Sequence, residues 1–184
     1  YLTAILELNQ QINLTGVRDP EQAVVLHALD GLAFALTGLS PQHVLDLGTG
    51  NGFPGVCVAA LHPGASVVLM DKTGKKVRAI GSALVTAGFH TVDAVQLDAQ
   101  QAPGLRRELR HAFDVVTARA VGRPEVIAPL AEPLCRPGGR LVLWLERGAE
   151  LPTRLGRFRF EARHDYALPE PAVRERVLAV WRLR

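Results

Sequence analysis

Apolar positions recur along this chain in two alternating rhythms. Leu2, Ile5, Leu6 and Leu8 fall at near-helical spacing, and Asn13-Leu14-Thr15 breaks the run. Asp19-Pro20-Glu21-Gln22 reads as a helix start: Asp19 as N-cap, Pro20 at the first helical position, Gln22 closing a capping box. The apolar face that follows predicts a helix to about Leu36, with His27 and Asp30 three residues apart and able to touch. Val44–Leu47 is a short apolar strand, followed by a helix through Leu61 and a second strand, Ser66–Asp71. Val77, Ile80 and Leu84 stripe the next helix, which Gly88 ends. Further strands are expected at Thr91–Val95, Phe113–Thr117 and Arg140–Leu145. A short helix is expected to carry Arg106, Arg107, Arg110 and His111, and a longer one to span Glu125–Leu134, before a Pro137-Gly138-Gly139 turn. Phe158–His164 and Val173–Arg182 read as two strands joined by a Pro-rich connection. Strand and helix in alternation predict an α/β fold with a mostly parallel sheet, closed by an antiparallel C-terminal hairpin.

With 184 residues the expected organisation is one compact domain. Residues 1–38 form an N-terminal helical segment and 39–184 the main sheet domain. The chain opens in mid-helix without a cap or an initiating methionine, which points to a truncated N-terminus. Hydrophobic content of 48% with 21% charged residues excludes a disordered chain. No apolar run is long enough for a membrane span, and no signal peptide is evident. Cys57 and Cys135 make neither a metal-ligand nor a disulfide framework, so no metal is expected and a cytoplasmic setting is. Net charge is +3, and arginine far outnumbers lysine. Guanidinium groups suit bidentate contact with phosphate, which brings a nucleic-acid partner into view.

The chemistry concentrates after the first strand. Gly48, Gly50 and Gly52 alternate there, and Pro54 follows at a helix start. Strand, glycine turn and helix N-terminus are the setting for a nucleotide-like ligand. Gly50, Gly52 and Gly55 also satisfy G-x-G-x-x-G, which keeps a nicotinamide oxidoreductase open. Asp46 just before the glycines argues against a pyrophosphate and for a ribose or amino group. Asp71 at the tip of the second strand suits ribose hydroxyls in either case. Lys72, Lys75, Lys76 and Arg78 open the next helix, where the macrodipole disfavours cations. They suggest an external anion, a solvated face being the alternative. Arg119 lies at the carboxyl edge of the fourth strand, where open α/β sheets bind ligands.

Alternating glycines after an acidic strand resemble the first motif of S-adenosylmethionine-dependent methyltransferases. Taken with Ile12–Thr15, Val17–Pro20, His27–Asp30, Phe53-Pro54-Gly55, Asp71 with Gly74-Lys75-Lys76, Arg119-Ala120 and Glu175-Arg176, the chain resembles the bacterial small-subunit (16S) ribosomal RNA guanine-N7 methyltransferases, the RsmG or GidB family. The resemblance implies a Rossmann-like class I methyltransferase fold, S-adenosyl-L-methionine as cofactor with S-adenosyl-L-homocysteine as product, and a monomer acting on ribosomal RNA within the small subunit. Cofactor contacts carry over to Gly48, Phe53, Ala99, Gln100 and Arg119, with Asp71 at the ribose and Asp46, Thr49, Gly50 and Gly52 completing the loop. Arg119 is the one catalytic candidate, on the cofactor carboxylate or the guanine. No general base is expected, because guanine N7 carries an unprotonated in-plane lone pair. Asn13, His27 and Asp30 are expected to shape the cleft, and Lys72, Lys75, Lys76, Arg123 and Arg147 to meet RNA. Four positions depart from the family pattern: Gln100 for glutamate, Ala118 for a hydroxyl residue, Gly31 for serine, and Glu146-Arg147-Gly148 where Lys-Gly is usual. A methyltransferase acting on a small molecule or protein, and a non-catalytic RNA-binding module, remain alternatives.

Overall fold

The computed structural model describes residues 1–184. Its strands are β1 (His43–Leu47), β2 (Ser66–Asp71), β3 (Val92–Gln96), β4 (Phe113–Arg119), β5 (Cys135–Glu146), β6 (Arg154–Leu155), β7 (Phe158–Leu168) and β8 (Arg174–Leu183). They form one sheet in the order β3-β2-β1-β4-β5-β8-β7-β6. The first five are parallel, and β8 joins β5 antiparallel, with β7 and β6 beyond it. The chain reverses its direction of winding between β1 and β4, the switch point at which such sheets open a crevice.

Helices cover both faces. They are α1 (Leu2–Asn9), α2, α3 (Gly55–Leu61), α4 (Gly74–Ala87), α5 (Ala102–Leu105) and α6 (Pro124–Ala131). The second of these is one continuous run in four pieces: α-helical Pro20–Ala23, π-helical Val24–Leu29, α-helical Asp30–Leu32 and 3-10 Ala33–Thr37. Alternate residues of each strand face opposite sides. Leu45 and Leu47 pack with Ile127 and Ala131 of α6, while Val44 packs with Phe34, Val56 and Ile80 on the other side. Strands buried on both faces therefore read as nearly unbroken apolar runs. The N-terminal helix packs through Ile5 on Ala79 and Ala83 of α4.

The Asp19 side chain accepts from Gln22 N–H at 2.8 Å, as the capping pattern predicts. Gly88 ends α4 in a left-handed conformation, φ 72°. Elsewhere the structure redraws the expectations. The Pro137–Gly139 turn lies inside β5 as a bulge: Phe113 pairs with Cys135, but Val115 already pairs with Arg140. Helix α6 stops at Ala131, short of Leu134, which enters the core beside Cys135. The predicted helix around Arg106–His111 is a single 3-10 turn, Arg107–Leu109, and His111 leaves it with φ 51°. The two-residue edge strand β6 carried no signal of its own.

Two glycines are set by close approach. A Cβ on Gly31 would lie 2.7 Å from Cys57 Sγ and 3.0 Å from Cys57 Cβ, so this cysteine leaves no room for a side chain there. A Cβ on Gly55 would lie 2.2 Å from Leu69 Cδ2 and 2.8 Å from Asp46 Cβ. Gly55→Ala is expected to destabilise the fold by about 1–3 kcal/mol, the range for overpacking. Urea unfolding measures it, and an unshifted midpoint would contradict the contact.

Candidate active site

The loop after β1 is held from below by Asp46. This side chain is fully buried. Its Oδ2 accepts from Thr49 Oγ1 at 2.5 Å and from Gly55 N–H at 3.2 Å, and its Oδ1 accepts from Thr117 Oγ1 at 2.7 Å. Burial raises its pKa to about 6 against the opposing pull of those three donors. Asp46 thus organises the loop from beneath and is absent from the walls of the cavities described below. Gly52 is set by packing. Its φ is 92°, and a Cβ there would fall 1.9 Å from the Tyr1 hydroxyl, which donates to Asn51 C=O at 2.9 Å. It is a packing glycine under the N-terminal helix.

Gly50 is different. Its φ is 61°, its N–H donates to Asp71 Oδ2 at 3.0 Å, and the nearest atom to a built Cβ is 3.9 Å away. Its backbone borders open space. Asp71 Oδ1 accepts from Thr73 N–H at 2.8 Å, so each carboxylate oxygen holds one donor and keeps capacity for another. Two adjoining cavities meet here, of about 640 Å³ and about 360 Å³, with Gly48, Asp71, Lys76 and Ala120 in the wall of both. The larger is lined by Thr49, Phe53, His27, Asp30 and Arg119. The smaller is lined by Ala99, Gln100 and Lys72.

Across the larger cavity, His27 and Asp30 do not bond to each other. Both turn toward Arg119, which reaches up from the end of β4. Arg119 Nη1 donates to Asp30 Oδ2 and to Leu26 C=O, each at 2.9 Å, and Nη2 lies 3.5 Å from His27 Nδ1. An arginine can only donate, so His27 Nδ1 accepts and its proton sits on Nε2, 2.9 Å from Thr15 Oγ1. Burial first, then the Arg119 charge, lower the His27 pKa to about 4. His27 is a neutral ring stacked on Phe53, centroids 5.6 Å apart. The π-helical turn, a feature often found at functional sites, carries Leu26 and His27.

Asp30 is the centre of this cluster. Its Oδ1 accepts from Tyr166 OH at 2.6 Å and lies 3.8 Å from Arg176 Nε, while its backbone C=O accepts from Trp144 Nε1 at 2.7 Å. Arg176 Nη1 reaches Glu146 at 2.6 Å on the cavity rim. Tyr166, Arg176, Trp144 and Thr15 were not singled out individually by their sequence; only the Glu175-Arg176 match pointed to this end of the chain.

The remaining candidates divide. Leu14 lines the cavity, but Asn13 beside it is exposed and outside it. Lys75 is exposed and borders neither cavity. Arg123 is exposed and pairs with Glu125 at 3.5 Å. Arg147 pairs with Glu175 at 2.5 Å on the surface, away from the cavity wall, where Glu146 stands instead.

A family model described as GidB, rRNA small subunit methyltransferase G, matches residues 1–162. The Ribosomal RNA small subunit methyltransferase G of Symbiobacterium thermophilum is 38% identical over 149 residues, covering 77% of this chain and 60% of that protein. The protein of the same name from Sorangium cellulosum is 37% identical over 154 residues, covering 82% and 63%. The chain therefore spans about six-tenths of the length of these curated relatives. Among solved structures, a SAM-dependent methyltransferase from Aquifex aeolicus superposes with a TM-score of 0.67 over 100% of this chain and 99% of that one, at 14% identity. That likeness concerns the fold: a Rossmann-like class I methyltransferase architecture with a mixed sheet. By the extent of the family match and by its identity to these relatives, the chain belongs to the GidB family, rRNA small subunit methyltransferase G.

Proposed function

We propose that this chain binds S-adenosyl-L-methionine across the two adjoining cavities and directs methyl transfer to N7 of a guanine in small-subunit ribosomal RNA. The observation that carries the reading is the pairing of Gly50, in the wall of the larger cavity, with Asp71, in the wall of both. Gly50 leaves room for close approach of a ligand to the backbone, and the Asp71 oxygens retain acceptor capacity for two ribose hydroxyls. Ala99 and Gln100 then border an adenine in the smaller cavity, and the larger takes the amino-acid end and the target base. When bound, the cofactor supplies an electrophilic methyl group on a sulfonium.

What the chain contributes is position. Guanine N7 needs no proton removed, and the titratable groups around the cavity suit that demand. Both His27 nitrogens are engaged, Asp30 is held by Arg119 and Tyr166, and Asp71 by two backbone N–H groups. Arg119 fixes the π-helical turn while placing a positive charge beside the cofactor carboxylate or the guanine. Lys72 and Lys76 at the cavity walls, with Lys75 and Arg123 outside, offer cations to the RNA backbone.

Labelled methyl transfer to small subunits from a strain lacking the enzyme tests the reading. Label mapped to a guanine N7 is the expected result. Label confined to protein or small molecules, or no transfer, would overturn it. Asp71→Ala is expected to weaken S-adenosyl-L-homocysteine binding by about 1–3 kcal/mol, roughly 5- to 150-fold, the scale for a lost buried partner. Calorimetry reads this directly, and unaltered affinity would remove Asp71 from the ribose.

A further inference from the structure

At the end of the sheet opposite the cavities, four arginines stand in register on four adjacent strands. Arg154 pairs with Arg159, Arg159 with Arg182, and Arg182 with Arg140, across β6, β7, β8 and β5. Directly paired residues point to the same face, so the four side chains form one row. Like charges placed opposite one another are destabilising. Only Arg140 is neutralised, by Glu161 at 3.1 and 3.2 Å. The side chains of Arg154, Arg159 and Arg182 make no hydrogen bond or ion pair within the chain. Desolvation, with Arg154 and Arg184 close by, holds the Arg159 guanidinium below its ordinary pKa. A recess of about 450 Å³ lies between Arg159, Arg182 and Arg184, with Glu161, already held by Arg140, also in its wall.

We propose that this row is a second contact for the RNA phosphate backbone, distinct from the site where the methyl group is transferred. Strands lie about 4.8 Å apart, so the row extends over about 14 Å. A single phosphate cannot serve cations spread that widely, whereas a polynucleotide presents anions in series. The Arg182–Arg140 pair lies six residues along the strands from the Arg176–Glu146 pair at the cavity rim, about 20 Å at strand rise. RNA whose guanine enters the cavity would thus be gripped at a second, remote point, fixing its orientation without reading its sequence. The proposal rests on ribosomal RNA being the substrate.

The test uses the whole chain with small-subunit ribosomal RNA as probe, and the triple variant Arg154→Gln, Arg159→Gln, Arg182→Gln. Binding at low salt is expected to fall tenfold or more. The slope of log affinity against log salt should flatten by about 2–3, given roughly 0.7–0.9 per phosphate contact. S-adenosyl-L-homocysteine affinity should be unchanged, and the melting temperature equal or higher because repulsion is relieved. A control of the same net charge, Arg106→Gln, Arg107→Gln, Arg110→Gln, should keep the wild-type slope. Wild-type affinity and slope in the triple variant would overturn the second contact while leaving the methyl-transfer reading intact. Failure of the unaltered chain to bind the RNA would overturn both. Arginine-dependent binding to acidic lipid vesicles without any effect on RNA would assign the row to a membrane surface and overturn the proposal.

Discussion

Asp30→Ala is expected to destabilise the protein by about 3–5 kcal/mol, the cost of removing one partner from a buried ion pair. The carboxylate is wholly buried, and four strands converge on this residue of α2: β4 through Arg119, β7 through Tyr166, β8 through Arg176 and β5 through Trp144. Alanine leaves the Arg119 guanidinium without its anion and the Tyr166 hydroxyl without its acceptor. Burial and the Asp30 charge already hold that hydroxyl above its ordinary pKa, so it stays a donor. Trp144 is little affected, because it donates to the Asp30 backbone. Asp30→Asn keeps an acceptor for Tyr166 and loses only the charge, so its deficit should be smaller. Urea unfolding followed by tryptophan fluorescence separates the two, and an alanine deficit below about 1 kcal/mol would contradict the central place given to Asp30.

Asp46→Asn is expected to change how stability depends on pH. The native carboxyl has a pKa of about 6, whereas an unfolded aspartate titrates near 3.9. Between those values the unfolded chain releases its proton first. The Asp46 contribution is therefore full below about pH 4 and is lost as pH rises through 6, amounting to about 3 kcal/mol. His27 works in the opposite direction. Its native pKa of about 4 lies below the usual 6.5, so its contribution is full above pH 6.5 and is lost as pH falls toward 4. The two nearly offset one another from pH 4 to 6. Asp46→Asn uncovers the histidine: relative to wild type, its stability should climb by about 3 kcal/mol across that interval. Asparagine can still accept from Thr49 and Gly55 and can donate to Thr117, so the loop is retained. A stability difference between variant and wild type that stays constant across pH would refute the assignment.

Local signals in the sequence were enough for the main parallel strands, though not for β6 or for the bulge at Pro137–Gly139 inside β5. β1, β2 and α3 fall within a residue of their predicted limits, because apolar runs bounded by glycine and proline leave few alternatives. The antiparallel hairpin was legible because no further helix follows β5. The chemistry of the site was less so. Asp46 was expected to face a ligand, but the hydroxyls that turn it inward come from Thr49, three residues away, and from Thr117, seventy-one residues away. His27 and Asp30 have the spacing to bond each other, yet Arg119, about ninety residues later, takes both. Tyr166 lies 136 residues from the carboxylate it serves. Such partnerships exist only once the sheet has been wound, and no periodicity along the chain encodes them. The arginine row is of the same kind: four residues scattered between 140 and 182 become one feature only through strand register.

The placement of β8 between β5 and β7 governs the order in which a nascent chain can complete its sheet. Until residues 174–183 have been synthesised, β5 offers a bare edge and the hairpin cannot bring Tyr166 and Arg176 to Asp30. A nascent chain halted after β7 would thus hold most of its core but not the cluster around Asp30, with an open strand available to other chains. Synthesis of β8 is what turns a sticky intermediate into a closed sheet.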